Sequence, residues 1–412
     1  MTSGIARTMM LLPLAALAIW ISPARCDASG DLVLRGKYLT VLGDCAACHT
    51  RKDGDAFAGG LGLNSGFGTI YSANITPDPD TGIGSWSADE FHRAMHKGIA
   101  ADGSHLYPAF PYPYFTHMTR ADDDAIYAYL RTVPPVHAKP PPNKLPFPLD
   151  IRGVMAIWNA LYLDEGAFKP DSAKSAEWNR GAYIVTGPGH CGGCHTPKNF
   201  LMADKSGRAL AGGVIDGWFA ADLSGEPRAG LASWSAGDIG EYLRSGRNAR
   251  ATASGSMQEV IALSTSRMTD ADRAAIAAYL KSLPPAAPPD EPSAPDPAAM
   301  RAGEAIFADV CAACHLAQGK GQPRLFPPLA GDASVQGRDA TTLLRIVLEG
   351  SRSPATPDAP TPLAMPAFDW KLDDAQIADV VTYVRNSWGN RAGPVSSGDV
   401  GKLRRDLAKA AD

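Results

Sequence analysis

The sequence contains one short motif three times, as Cys45-Ala-Ala-Cys48-His49, Cys191-Gly-Gly-Cys194-His195 and Cys311-Ala-Ala-Cys314-His315. Two thiols three positions apart lie on one face of a helix. They can form thioether bonds to the two vinyl groups of one haem, while the adjacent histidine reaches the iron. We therefore interpret the six cysteines and three histidines as attachment sites for three covalently bound c-type haems.

Other uses of paired cysteines fit this pattern less well. A structural zinc site takes four ligands, usually from two paired motifs. A thioredoxin-like pair occurs once and within a βαβ unit. Disulfides have to be considered in an exported chain, but they do not account for the histidine that follows each pair.

Length and composition indicate a globular protein of several domains. The chain has 412 residues, of which 45% are hydrophobic and 20% charged, with a net charge of −4. At roughly 150 residues per domain, the length predicts two to three domains. The small negative charge does not indicate nucleic-acid binding. We find no nucleophile–base pair and no nucleotide-binding glycine loop, so we expect no catalytic site in this chain.

The first 26 residues have the pattern of a secretory signal peptide. Arg7 supplies positive charge, residues 9–21 are apolar, and small residues follow from Ser22 to Ala28. The apolar run is shorter than the roughly 20 residues needed to span a bilayer. We therefore expect export and cleavage near Cys26, the seventh cysteine, with a retained anchor as the alternative.

Three units of the same plan follow the leader. Each has a helical lead-in, the motif, a Gly/Pro-rich middle, a methionine and a closing helix. The closing segments of units one and two align at an offset of 150, with Met118-Thr119 matching Met268-Thr269. In unit three, Gly303 should let the lead-in helix cross the closing helix closely, with Tyr383 packed nearby. Strand signals are sparse, so we expect a mainly α fold.

Changes in amino-acid composition along the chain predict the domain boundaries. They predict a signal peptide at 1–26, domains at 27–142, 143–284 and 298–390, a Pro-rich linker at 285–297, and a tail at 391–412.

The sixth iron ligand is expected to be a methionine, as in cytochromes c. The repeat selects Met118 and Met268, and unit three offers Met365, the only methionine after His315. Core filling is the usual role of a methionine and remains the alternative. The rival ligands are Met257 in unit two, and Met95 or His117 in unit one.

Several further residues have predicted roles that do not depend on the repeat. His92 and His96 have the i, i+4 spacing of a helical metal site, but adjacent basic residues favour a polar helix face. The carbonyl of Pro327 or Pro328 is expected to accept a hydrogen bond from His315. We expect Pro197 to shape the turn after His195, and Trp86 and Trp234 to pack on haem edges or in ordinary cores.

The sequence resembles the three-haem cytochrome c subunits of bacterial membrane-bound dehydrogenases that oxidise alcohols, gluconate, sorbitol or fructose. The resemblance covers nearly the whole mature chain. It rests on the stretches 36–39, 74–78, 102–112, 189–197, 254–257 and 365–368.

This resemblance implies three tandem class I-like cytochrome c domains in an electron-transfer subunit. A quinoprotein or flavoprotein partner would oxidise the substrate, and this chain would relay the electrons to ubiquinone. It also implies a location on the periplasmic side of the inner membrane, with peripheral association. The C-terminal stripe of Val400, Leu403, Leu407 and Ala411 is narrow for autonomous membrane binding. A peroxidase-like multihaem enzyme and a free periplasmic electron shuttle remain the alternatives.

Overall fold

The computed structural model describes Met1, residues 28–286 and residues 291–411. The expected leader with Cys26, and part of the expected Pro-rich linker, lie outside these residues. The described residues form mostly helices, together with three small antiparallel two-stranded sheets. The prediction of a mainly α fold is confirmed.

Unit one and the segment after it are built from six helices and one hairpin. These are α1 (Ala28–Leu42), α2 (Cys45–His49), β1 (Gly62–Ser65), β2 (Gly68–Tyr71), α3 (Ala88–Lys97), α4 (Tyr112–Phe115), α5 (Arg120–Leu130) and α6 (Val154–Tyr162). Helix α3 begins with a capping box, in which Ser87 and Glu90 each bond the backbone N–H of the other. The Thr119 hydroxyl caps α5 by accepting from the N–H of Asp122.

Unit two repeats this order. Its elements are α7 (Ala176–Thr186), α8 (Gly192–His195), β3 (Ala211–Ile215), β4 (Trp218–Asp222), α9 (Ala236–Ser245), α10 (Met257–Leu263), a 3-10 turn (Thr265–Arg267) and α11 (Asp270–Lys281). Ser235 and Asp238 form the capping box of α9, and Thr269 caps α11. The sequence duplication is therefore a structural one, down to the residues that begin the helices.

Unit three has a shorter connection between its motif and its closing helix. Its elements are α12 (Pro297–Ile306), a π-helical turn (Phe307–Cys311), α13 (Ala312–His315), α14 (Ala333–Gln336), α15 (Thr341–Glu349), β5 (Ser351–Arg352), β6 (Ala364–Met365), α16 (Asp374–Arg385) and α17 (Ser397–Ala411). Asp373 caps α16 and forms a capping box with Gln376.

The lead-in helix of each unit crosses the closing helix at a glycine. A Cβ added to Gly36, Gly181 or Gly303 would lie 1.8, 1.9 or 2.2 Å from a backbone oxygen of the closing helix. A tyrosine Cβ packs beside each glycine; the three tyrosines are Tyr129, Tyr279 and Tyr383. Only glycine permits this approach, and the predicted crossing of Gly303 beside Tyr383 is confirmed.

Units one and two are joined by a reciprocal exchange of hydrogen bonds. The Tyr38 hydroxyl of α1 donates to Asp272 of α11 at 2.6 Å, and the Tyr183 hydroxyl of α7 donates to Asp122 of α5. An arginine of the same unit also bonds each carboxylate; the two are Arg35 and Arg180. Because equivalent positions exchange roles, the two units face each other with approximate twofold symmetry.

Unit three docks on the hairpin of unit two. The Thr342 hydroxyl on α15 donates to the Phe219 carbonyl at 2.9 Å and accepts from the Phe219 N–H at 2.8 Å. The Arg345 guanidinium lies 4.3 Å from the ring centroid of Trp218 and donates to the Asp216 carbonyl. These contacts place α15 directly against β4.

The segment after unit one packs back onto that unit. The Asn143 side chain accepts from the Tyr71 N–H at 2.9 Å, and the Tyr112 hydroxyl donates to Asn159 of α6 at 2.5 Å. Hydrogen bonds thus cross the expected boundary near residue 142. The domain bounds given above stay a prediction.

The C-terminal helix α17 packs on unit three. Val400 is fully buried, and Leu403 and Leu407 contact the same apolar core as α16. Arg404 pairs with Asp374 at 2.8 Å. Three residues of the apolar stripe, Val400, Leu403 and Leu407, therefore already pack against protein. Within the described residues, none of the helices combines the length and the apolar character that a bilayer crossing needs.

We expect Gly181→Ala to destabilise unit two by about 1–3 kcal/mol, because the new methyl group overlaps the α11 backbone. The urea midpoint of the purified protein, followed by circular dichroism, measures this. Gly240→Ala is the matched control, since nothing lies within 4 Å of its added Cβ in α9. The control should keep or raise the midpoint. Equal midpoints for both variants would contradict the close crossing.

Candidate functional site

The three motifs occupy equivalent places, on short helices that follow the lead-in helices. The first lies on α2, the second on α8, and the third spans the π-helical turn and α13. All six cysteines are free thiols in the described part of the chain. The motif cysteines are therefore not paired in disulfides, and each pair remains available for one prosthetic group.

Each motif histidine is held by a backbone carbonyl. The Nδ1–O distances are 2.7 Å for His49 to Ala73, 2.7 Å for His195 to Ala221, and 3.0 Å for His315 to Pro327. A carbonyl oxygen only accepts, so Nδ1 carries the proton and Nε2 keeps its lone pair. This is the orientation that a metal-ligating histidine requires. The predicted bond to Pro327 is present.

Burial keeps these imidazoles in the form that binds iron. Desolvation lowers the pKa of His49, His195 and His315, and the carbonyl hydrogen bond of each opposes this only in part. Neutral imidazole is the ligating form, so all three rings are ready to ligate at neutral pH.

The pKa values of the motif thiols are shifted in the opposite direction to those of a redox-active dithiol. Burial raises the pKa of Cys45, Cys48 and Cys191 to about 12, and that of Cys311 to about 11. Thioredoxin-like pairs and zinc sites depend on stabilised thiolates. Protonated thiols beside an oriented histidine fit a c-type haem better than either alternative.

The candidate methionines lie in different surroundings. Met118 is 0% exposed, in a core with Leu39, Phe91 and Ile126, whereas Met268 is 5% exposed, in a core that also contacts Cys191. Core packing also accounts for the burial of both.

The other two methionines are less buried. Met365 lies on β6 opposite Ser351 and is partly exposed, and Met257, also partly exposed, begins α10. The rival Met95 is 5% exposed, in the same core as Met118.

The structure gives protein contacts for four of the further candidate residues. Trp234 is 9% exposed and packs edge-on against Tyr242, with ring centroids 5.6 Å apart. The Trp86 carbonyl accepts from the Tyr127 hydroxyl. His117 contacts the Gly166 carbonyl through Nδ1 at 2.8 Å. The Pro197 carbonyl accepts from the Lys205 N–H at 2.8 Å, which closes the turn after the second motif.

Attachment sites one and two are neighbours, which no sequence pattern indicates. His190 Nε2, just before the second motif, lies 3.3 Å from the Gly43 carbonyl, just before the first. The Ser264 hydroxyl donates to the Leu42 carbonyl at 3.2 Å. Cys48 and Cys194 are near enough for Cys194 to raise the pKa of Cys48 electrostatically. The reciprocal Tyr–Asp contacts bring the two motifs face to face.

The expectation of a polar helix face at His92 and His96 is wrong for His96, whose side chain is only 8% exposed. Both rings contact the fully buried carboxylate of Asp123 on α5. Asp123 is not among the site residues expected from the sequence. The repeat offered a signal, because the corresponding residue in unit two is Arg273 rather than an acid.

Asp44, directly before the first motif, is a buried carboxylate. Its backbone is left-handed, with φ of 51°, and its Oδ1 has no hydrogen-bond partner among the described residues. Desolvation raises its pKa to about 7, Glu259 adds to the increase, and Arg267 opposes it. The carboxylate form is therefore disfavoured in the folded protein.

Comparison with known proteins gives matches along most of the chain. The cytochrome c family model matches residues 33–134 and 300–388. The chain is 44% identical to the cytochrome c subunit of the alcohol dehydrogenase (quinone) of Gluconacetobacter polyoxogenes, over 92% of this chain and 85% of that one. It is 41% identical to the gluconate 2-dehydrogenase cytochrome c subunit of Pantoea cypripedii, over 92% of this chain and 91% of that one. It is 38% identical to the fructose dehydrogenase cytochrome subunit of Gluconobacter japonicus, over 93% of this chain and 84% of that one.

We expect Asp44→Asn to stabilise the protein increasingly as pH rises. Between pH 4 and 7 the unfolded chain releases the Asp44 proton while the folded chain retains it, so wild-type stability falls over this range. This increase in the pKa of Asp44 corresponds to a loss of at most about 4 kcal/mol in the free energy of unfolding. The urea midpoint of the variant relative to wild type should therefore rise from pH 5 to pH 7 and then level off.

Asp53→Asn is the matched control, because Asp53 is exposed and also has a left-handed backbone. It should leave the urea midpoint unchanged at each pH. A stability difference for Asp44→Asn that does not depend on pH would contradict the assignment.

Proposed function

Because the chain belongs to the family of cytochrome c subunits of alcohol, gluconate and fructose dehydrogenases, we propose that it relays electrons through three c-type haems from a partner dehydrogenase to ubiquinone. One observation carries the proposal. A backbone carbonyl lies within hydrogen-bond distance of Nδ1 in all three motif histidines, which leaves Nε2 available to iron. Three sites built in the same way favour three equivalent redox centres.

The residues that would hold each haem follow from the motifs. Thioethers would form at Cys45 and Cys48, at Cys191 and Cys194, and at Cys311 and Cys314, and the axial nitrogens would come from His49, His195 and His315. A bound c-type haem supplies a one-electron redox centre whose potential depends on its axial ligands. The chain's own backbone carbonyls orient the imidazoles.

The sixth iron ligands would come from Met118, Met268 and Met365. Met118 and Met268 both immediately precede the threonine that caps the closing helix of their unit. The rival Met257 has no methionine counterpart in unit one. An equivalent backbone hydrogen bond occurs in both units, from Leu106 N to Gly98 O in unit one and from Ala253 N to Gly246 O in unit two. Matching the two loops on this bond pairs Met257 with Phe110.

The arrangement of the units supports a relay. Sites one and two adjoin across the Gly43–His190 contact, and unit three is fixed to the unit-two hairpin by Thr342 and Arg345. Electron transfer needs such fixed spacing but no substrate bound to iron. Removal of hydride or protons from the substrate then belongs to the partner and its cofactor.

The compartment and partners follow from the leader and the family. An exported chain would meet a quinoprotein or flavoprotein subunit on the periplasmic side of the inner membrane. Because Val400, Leu403 and Leu407 are covered by unit three, we attribute peripheral membrane association to the partner complex rather than to this tail. The net charge of −4 gives no reason to expect nucleic acid as a partner.

Replacing a ligating methionine should lower the potential of one haem. We expect Met118→Ala, Met268→Ala and Met365→Ala each to shift one of three redox transitions downward and to weaken the Met–iron charge-transfer band. A spectroelectrochemical titration measures both. Met257→Ala is the matched control and should leave both readouts unchanged.

Loss of the band in Met257→Ala, but not in Met268→Ala, would reassign the ligand of unit two to Met257. An unchanged titration in Met118→Ala would assign Met118 to the core. Fewer than three transitions in fully matured wild-type protein would contradict the haem count.

The relay itself is tested by reconstitution. The purified chain alone should not oxidise alcohols, sugars or sugar acids with an artificial acceptor. With its dehydrogenase partner and substrate, the haem absorbance should become reduced, and a soluble ubiquinone analogue should then reoxidise it. Substrate or peroxide turnover by the chain alone would favour the peroxidase-like enzyme. Haems that stay oxidised beside an active partner would favour the free shuttle.

A further inference from the structure

We propose that His92, His96 and Asp123 form a binding site for a divalent transition-metal ion, separate from the three haem-attachment motifs. Two of these residues lie one turn apart on α3, and the third lies on the first turn of α5. Two imidazoles and one carboxylate are a ligand set that Zn²⁺ accepts, with water in the remaining position.

The donor atoms already converge. Asp123 Oδ2 lies 2.6 Å from His92 Nδ1 and 2.8 Å from His96 Nε2. The two imidazole centroids are 4.0 Å apart. Bonds of about 2.0–2.1 Å to a single ion place its ligand atoms about 3–3.5 Å apart. A metal ion could therefore take the place of the proton between His92 and Asp123, with the ligand atoms moving apart by under about 1 Å.

Burial makes this cluster costly without a ligand. The side chain of Asp123 is 0% exposed and that of His96 is 8% exposed. Among the described residues, Asp123 Oδ1 and His96 Nε2 have no hydrogen-bond partner of acceptable geometry. Buried polar atoms of this kind normally have a partner. A cation between the rings and the carboxylate would satisfy both residues.

The neighbouring basic side chains do not neutralise the carboxylate. The Arg93 guanidinium donates to the carbonyls of Ala100 and Ala101. Lys97 pairs with Glu165 at 3.2 Å. The Asp123 charge is thus faced by His92 and His96, two residues able to share a metal ion with it.

Unit two shows that the fold does not need this cluster. The same helices, α9 and α11, carry Gly240, Arg244 and Arg273 at the corresponding positions. Arg273 instead donates to the Thr265 and Met268 carbonyls. The helix pair closes in unit two without a histidine or a carboxylate at these three positions, so packing of the two helices does not require the cluster.

Access to the site is from the side of His92, whose side chain is 29% exposed. An ion can enter past this ring and keep a water molecule there, while His96 and Asp123 remain enclosed. Binding would link α3 to α5 and so brace the core that contains Met95 and Met118. This inference does not rest on the proposed electron-transfer function.

The test uses the purified haem-containing protein, stripped with a chelator and dialysed against ZnCl₂. We expect about one tightly bound zinc per chain by elemental analysis, measured beside the haem iron, and a zinc-dependent rise of the unfolding temperature. His96→Gln and His92→Gln should each weaken zinc binding at least about tenfold. His92→Gln alters a partly exposed residue, so it tests the site even if His96→Gln folds poorly.

His137→Gln is the control, because that exposed histidine contacts a carboxylate, Asp78, outside the cluster. It should bind zinc as wild type does. Equal zinc binding by wild type, His92→Gln and His96→Gln would overturn the proposal. So would a wild-type protein that binds no zinc at micromolar concentrations. Neither result would affect the redox titrations that test the haem ligands.

Discussion

The close crossing of the first and last helix in each unit is the constraint on which the rest of the structure depends. At Gly36, Gly181 and Gly303 the lead-in helix lies directly on the backbone of the closing helix, and a methyl group would overlap a carbonyl oxygen. Because each motif follows its lead-in helix within a turn or two, this crossing sets where the cysteines and the histidine stand. A distortion at the crossing would therefore be transmitted directly to the attachment site.

The second level of organisation is the pairing of units one and two. The exchange of Tyr38 and Tyr183 onto Asp272 and Asp122 buries two carboxylates that an arginine also contacts. Such charge-assisted bonds are directional, so they orient one unit against the other. As a result, the chain segments just before the two motifs touch at Gly43 and His190. In the proposed relay, this interface would hold the first and second motifs at a fixed separation.

Much of the site could be predicted because its information is local. The spacing of cysteines and histidine in five residues, the glycine at the crossing, and the proline carbonyl beside His315 are all visible in short stretches. The contacts that could not be predicted join distant segments. Asp123 meets His92 and His96 across two helices, and Val400, Leu403 and Leu407 of α17 pack against the core of unit three. Amphipathic periodicity shows that a helix has an apolar face but does not identify what covers it.

The sequence by itself determined the positions of the three Cys–x–x–Cys–His motifs, the duplication of units one and two, the mainly α fold and the family resemblance. It did so because thioether attachment, helix capping and close helix crossing each require particular residue types at short spacings. The tertiary structure alone decided which carbonyls hold His49 and His195, which motifs adjoin, and which charged groups are buried together. Those features depend on side chains far apart in the chain, and their burial and mutual distance exist only once the helices have packed.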